Sequence, residues 1–166
     1  MVGPHRMKPH TIRTRVALLL ATFGYAGFAP VAPGTVGSAA GLILIVPLRL
    51  LGLRWLDVAA ALILFMVGVW SAGVTEQYLG KEDPGPVVID EVLGMLVSLL
   101  WLPVSWQVCL AAFLAFRVFD IIKPWPAGRF ERLGGGLGIM ADDAMAGVYA
   151  NLVVQALVWW RPEWMR

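Results

Sequence analysis

Two acid pairs and one ladder of mixed charge stand out in this chain. Asp90 and Glu91 close the segment KEDPGPVVIDE (81–91), and Asp142 and Asp143 follow the run GGGLGIMA. Arg117, Asp120 and Lys123 are spaced by three in RVFDIIKPWP. Together with Glu76, Glu82, Asp83 and Glu131, these stretches hold nine of the eleven acidic residues. Carboxylates gathered at the edge of an apolar core are costly to desolvate and commonly mark a cation site. The two histidines, His5 and His10, lie in the N-terminal tail, and the single Cys109 sits in VCLAAFLAF without ligand spacing. Carboxylates without Cys or His partners select a hard ion, Mg²⁺ before Zn²⁺. Asp90, Glu91, Asp142 and Asp143 are the candidate metal ligands, and Asp120 joins them as a candidate catalytic acid. Arg117, Lys123 and Lys81 are suited to phosphate oxygens.

Each motif also has a plainer reading. Acids near a helix start favour the macrodipole, and adjacent residues point about 100° apart, so Asp90 and Glu91 are expected to reach different partners. Asp142 and Asp143 can serve as N-cap and first residue of a helix opened by a flexible glycine turn. Asp143, Gly147 and Asn151 recur every four residues and make a polar stripe facing inward. Arg117, Asp120 and Lys123 share one broad helix face, as a salt-bridge ladder or as an anion clamp. In FAPVAPGTVGSAAG, the hydroxyls of Thr35 and Ser38 at a helix start suit a phosphate group. Other phosphatase machinery is missing: there is no Cys nucleophile ahead of a phosphate-loop Arg, no DxD and no core histidine. What remains is metal-assisted attack by water.

The elements that must position these groups are apolar. Hydrophobic residues make up 59% of the 166, charged residues 14%, and mean hydropathy is +0.75. A soluble domain carries about 25% charge. The composition therefore predicts one integral membrane domain over residues 1–166, with 1–13 a flexible tail. The alternative is a soluble bundle around a buried central helix. A net charge of +2, with no basic run interleaved with aromatics, excludes a nucleic-acid binder. Five long helices are expected at 37–53, 56–79, 87–102, 105–122 and 143–160, with a short one at 14–27. Alternating crossings bring the tail and the loops at 28–36, 80–86 and 123–142 to one side. Nine of the thirteen basic residues lie there, which makes that side cytoplasmic. Trp101, Trp106, Trp159, Trp160 and Trp164 form an aromatic belt at the other side.

FAPVAPGTVGS (28–38), KEDPGPVVIDEVLGM (81–95), FRVFDIIKPWP (116–126) and GGLGIMADDAMAGVYA (135–150), in this order, resemble the phosphatidylglycerophosphatase A family of bacterial phospholipid synthesis. One departure is Glu131–Arg132, where the family pattern has Asp–Arg. The resemblance implies an all-helical fold and Mg²⁺-dependent hydrolysis of phosphatidylglycerophosphate to phosphatidylglycerol and phosphate at the cytoplasmic membrane. It also places Asp83 within a matching motif. The competing reading is a small membrane transporter or ion-coupled carrier that uses the carboxylates as a coupling site.

Overall fold

The computed structural model describes residues 11–50 and 53–165. The tail before Thr11, with His5 and His10, lies outside the described residues, as do Gly52, Arg166 and the side chains of Arg54 and Glu131. The described chain is all-helical: α1 (Ile12–Ala21), α2 (Pro33–Leu50), α3 (Arg54–Leu79), α4 (Ile89–Ser98), α5 (Trp106–Ile122), α6 (Ala127–Phe130) and α7 (Gly135–Trp160). Several ends follow local rules. Thr11 caps α1 by accepting the N–H of Thr14, so the helix begins inside the stretch expected as tail. Ser105 caps α5 by accepting the N–H of Val108. At its other end α5 stops at Lys123, left-handed with φ 47°, just before Pro124.

Three boundaries differ from the pattern reading. α2 starts at Pro33 rather than residue 37, since proline is preorganised for the first turn of a helix. α4 is ten residues long, because the chain turns at Leu99–Leu102 before Pro103. Among the described residues, α2, α3, α5 and α7 are the helices of 17 residues or more, and α4 is shorter than the expected 87–102. α7 begins at Gly135, eight residues before the expected start. The glycine run is thus the first turn of a helix rather than a flexible loop. Left-handed Gly134 and Gly135 turn the chain into α7. Gly136 lets it pass so close to α3 that a Cβ there would overlap the Val69 carbonyl.

α4 sits at the centre, packed against α2, α3, α5 and α7, with eight of its ten residues buried. Small residues allow this. A Cβ at Gly37 or Gly41 of α2 would lie 2.8 Å from the Cβ of Val88 or Met95, and one at Gly147 of α7 would lie 2.6 Å from the Gly94 carbonyl. A buried helix must also satisfy its terminal carbonyls. Arg49, ion-paired to buried Asp57, donates to Leu99 O at 2.6 Å and Leu102 O at 2.7 Å. Asn151 of α7 donates to Ser98 O at 3.1 Å and Leu100 O at 2.9 Å. The predicted stripe Asp143–Gly147–Asn151 therefore runs along α4, meeting Asp90, Gly94 and Ser98 in turn.

The outside of the bundle is apolar, with Leu62, Ile63 and Met66 exposed on α3 and Leu152 and Val153 on α7. Among the described residues, two helices are long and apolar enough to cross a membrane: Trp55–Leu79 with mean hydropathy 2.1 and Gly135–Trp160 with 1.3. Replacing Asn151 with Leu strands two buried carbonyls. We expect a loss of roughly 1–3 kcal/mol, read as earlier unfolding in detergent, while Leu152→Ala on the exposed face of α7 leaves the transition close to wild type.

Candidate active site

Four helices and one loop converge at the N-terminal end of α4. The loop at 83–88 is braced from α1, where Ala21 O accepts the N–H of Val88 at 2.9 Å. Next to it, Gly27 lies against the Pro86 carbonyl so closely that a side chain would collide. Together these contacts fix where α4 begins. The cleft they enclose has a volume of about 390 Å³. Its walls carry Asp83 from the loop, Asp90 and Glu91 from α4, Arg117 and Asp120 from α5, Lys123 at the end of α5, and Asp142 and Asp143 from α7. Pro33 and Gly34 of α2 close one side.

The charges in the cleft sort into two kinds. Arg117 Nη1 donates to Asp120 Oδ2 at 2.5 Å, and Lys123 Nζ donates to Asp142 Oδ2 at 2.6 Å. The other oxygen of Asp142 accepts the backbone N–H of Asp143 at 3.0 Å. Asp90, Glu91 and Asp143 form the second kind. One oxygen from each lies within 4.8 Å of the others. Asp90 is 7% exposed and Asp143 4%. Each of the three carboxylates has a buried oxygen with no hydrogen-bond partner: Asp90 Oδ1, Glu91 Oε2 and Asp143 Oδ2. Burial, reinforced by the Glu91 charge, pushes the Asp90 carboxyl well above the ordinary range, and burial raises Glu91 as well.

Six acids line this cleft against two bases, so charge is left uncompensated there. Unpartnered, converging carboxylate oxygens are the ligand set of a hard divalent cation. The trio fits such an ion without any Cys or His.

The structure brings together Asp90, Glu91, Asp120, Asp142, Asp143, Arg117 and Lys123 of the sequence-predicted set. It does not bring Lys81, Thr35 or Ser38 to the cleft. Lys81 and Thr35 are exposed outside it. Ser38 is fully buried, and its hydroxyl donates to Gly34 O within α2, a bond that satisfies it locally. Asp90 and Glu91 share the cluster with Asp143, and Glu91 also has a neighbour of its own. Their flexible ends meet although their Cβ atoms diverge, while Glu91 Oε1 also approaches Gly34 beside the Arg117 guanidinium. Asp142 faces Lys123 and stands apart from the metal trio.

Sequence reasoning placed Asp83 only within a matching motif, and read Gly34 only as part of the loop that opens α2. Asp83 borders both the cleft and an adjoining cavity of about 250 Å³, which also touches Glu76, Arg132 and Asp142. What was missed is that Gly34 lies against Glu91 and Arg117, since close approach to a side chain from another helix cannot be read along the chain.

Comparisons with known proteins identify the family. The sequence profile of the family described as phosphatidylglycerophosphatase A matches residues 19–158. A phosphatidylglycerophosphatase A from Haemophilus influenzae is 41% identical over 96% of this chain and 99% of its own length. One from Escherichia coli is 38% identical over 79% of this chain and 76% of its own. A Bacteroides thetaiotaomicron protein, provisionally named a phosphatidylinositol-3-phosphatase, is 37% identical over 86% of this chain and 93% of its own. No solved structure matches the chain at a significant level.

Purified protein is expected to bind Mn²⁺. Asp90→Asn or Asp143→Asn removes one charged ligand of three and should weaken binding about tenfold or more, whereas Asp120→Asn changes it by less than about threefold. Titration followed by Mn²⁺ paramagnetic resonance reads this directly. Wild-type affinity in a folded Asp143→Asn protein would remove that residue from the ligand set.

Proposed function

The chain belongs to the phosphatidylglycerophosphatase A family, and from that membership we propose that it hydrolyses the terminal phosphomonoester of phosphatidylglycerophosphate, yielding phosphatidylglycerol and inorganic phosphate with Mg²⁺ as cofactor. The whole chain, 1–166, acts as one membrane domain. The observation that carries the metal dependence is the trio Asp90, Glu91 and Asp143, three buried carboxylates with unpartnered oxygens on one wall of the cleft. The carrier reading loses its ground with membership in a phosphatase family.

The roles follow from the pairing. Asp90, Glu91 and Asp143 would hold Mg²⁺, and the ion would supply positive charge to the phosphate oxygens. Arg117 and Lys123 present their donors from the α5 side, and Asp120 and Asp142 hold those cations in place. Water adds to phosphorus as the bond to the glycerol oxygen breaks. That oxygen gains the proton that water gives up, and orthophosphate departs.

Membrane depth supports a head-group substrate. About 20 helical residues cover a hydrocarbon core of roughly 30 Å. Counted back from Trp160 on α7, that span ends near residue 140, so Asp142 and Asp143 come level with the opposite membrane edge. Counted forward from Trp55 on α3, it ends near Thr75. The excess of basic residues in the sequence segments expected on this side supports the cytoplasmic face of a bacterial inner membrane.

Phosphate release from phosphatidylglycerophosphate in detergent micelles is expected to need Mg²⁺ and to stop in EDTA. Asp143→Asn and Asp142→Asn should each lower kcat about a hundredfold or more while the protein stays folded. Undiminished release in EDTA would overturn the metal role. Phosphatidylinositol 3-phosphate in the same assay tests selectivity and should turn over more slowly. In a second test, Gly34→Ala sets a methyl group against Glu91 Oε1 and the Arg117 guanidinium. It should cut kcat about tenfold or more with little change in thermal unfolding.

A further inference from the structure

One rim of the cleft differs from the rest. Ile121 lines the cleft and is nevertheless 74% exposed, and Ala32 and Pro33, where α2 begins, line the same cleft. All other cleft residues from α4, α5 and α7 are charged. Along α5, Leu110, Leu114, Arg117 and Ile121 stand at i, i+4, i+7 and i+11, so they share one face. Leu110 is 50% and Leu114 55% exposed. The same face that holds Arg117 to Asp120 at the cleft thus continues away from it as half-exposed aliphatic surface.

We propose that this face of α5 is the track for an acyl chain of the lipid substrate, and that the head group enters the cleft sideways from the bilayer between Ile121 and Ala32–Pro33. The proposal rests on the phospholipid phosphatase reading and adds the route. The occupant follows from continuity. A phosphate at Arg117 is one helical turn from Leu114 and two from Leu110, so a lipid whose head group lies in the cleft lays its tail on that stripe. A water-soluble phosphomonoester would gain nothing from it. Chain contact here would orient the lipid and leave the chemistry to the charged wall.

The test compares two substrates: diacyl phosphatidylglycerophosphate in mixed micelles and its deacylated, water-soluble counterpart. Leu110→Ser/Leu114→Ser is expected to lower the ratio of kcat/KM for diacyl over deacylated substrate about tenfold. The control Leu62→Ser/Met66→Ser, on the comparably exposed face of α3, should keep the wild-type ratio. If the serine pair does not fold, Leu110→Ala/Leu114→Ala should shift the ratio the same way, by about threefold. An unchanged ratio in a folded α5 variant, or an equal fall in the α3 control, overturns the track and leaves the phosphatase reading standing. A wild-type protein that hydrolyses neither substrate with Mg²⁺ overturns both.

Discussion

A ten-residue helix buried on nearly every side governs this architecture. α4 is too short to reach from one end of the bundle to the other, and burial denies its ends the water that would otherwise satisfy them. At its C-terminal end the solution is structural: Arg49 and Asn151 take up four carbonyls between Ser98 and Leu102. At its N-terminal end the helix dipole favours negative charge, and Asp90 and Glu91 stand there. Asp143 joins them from α7, so three carboxylates gather at that end. The closed end makes α4 a fixed post, and the open end makes it a site.

Pairing divides the labour among acids that look equivalent along the chain. Asp120 and Asp142 each hold a cation, and the pairs Arg117–Asp120 and Lys123–Asp142 form the α5 side of the cleft. Among the described residues, no ion pair joins Asp90, Glu91 or Asp143 to a cation, and the three converge on one another. Neighbours in sequence are therefore opposites in chemistry. Asp142 serves a lysine 19 residues away, and Asp143 serves the shared cluster.

Features that depend on nearby residues were legible. Ser105 after Pro103, and the stop at Lys123 before Pro124, follow from capping and proline sterics. The inward stripe on α7 follows from helical period. The membership of Asp90, Glu91, Arg117, Asp120, Lys123, Asp142 and Asp143 in one cleft was readable because polar groups in so apolar a chain must collect somewhere. The start of α7 was not readable. Glycine costs a helix roughly 1 kcal/mol per residue relative to alanine, so Gly134–Gly138 reads as a turn until α3 is present to reward the close approach at Gly136. Ser38 misled for the opposite reason: a hydroxyl that suits an anion is satisfied just as well by a carbonyl of its own helix.

α4 and α7 run side by side in the same direction, and their contacts keep a constant offset. Asn151 reaches Ser98 O across 53 residues, Gly147 meets Gly94 at the same offset, and Asp143 meets Asp90. The two helices work like the scales of a vernier, aligned at three marks. Side chains between the marks can change with local cost only. One residue added or removed between 90 and 98, or between 143 and 151, would turn one end of the scale by about 100°. The carbonyls could then keep their partners only if the carboxylates lost theirs. The length of these two segments is held more tightly than their composition, and the same alignment that stabilises the bundle sets the spacing of its charges.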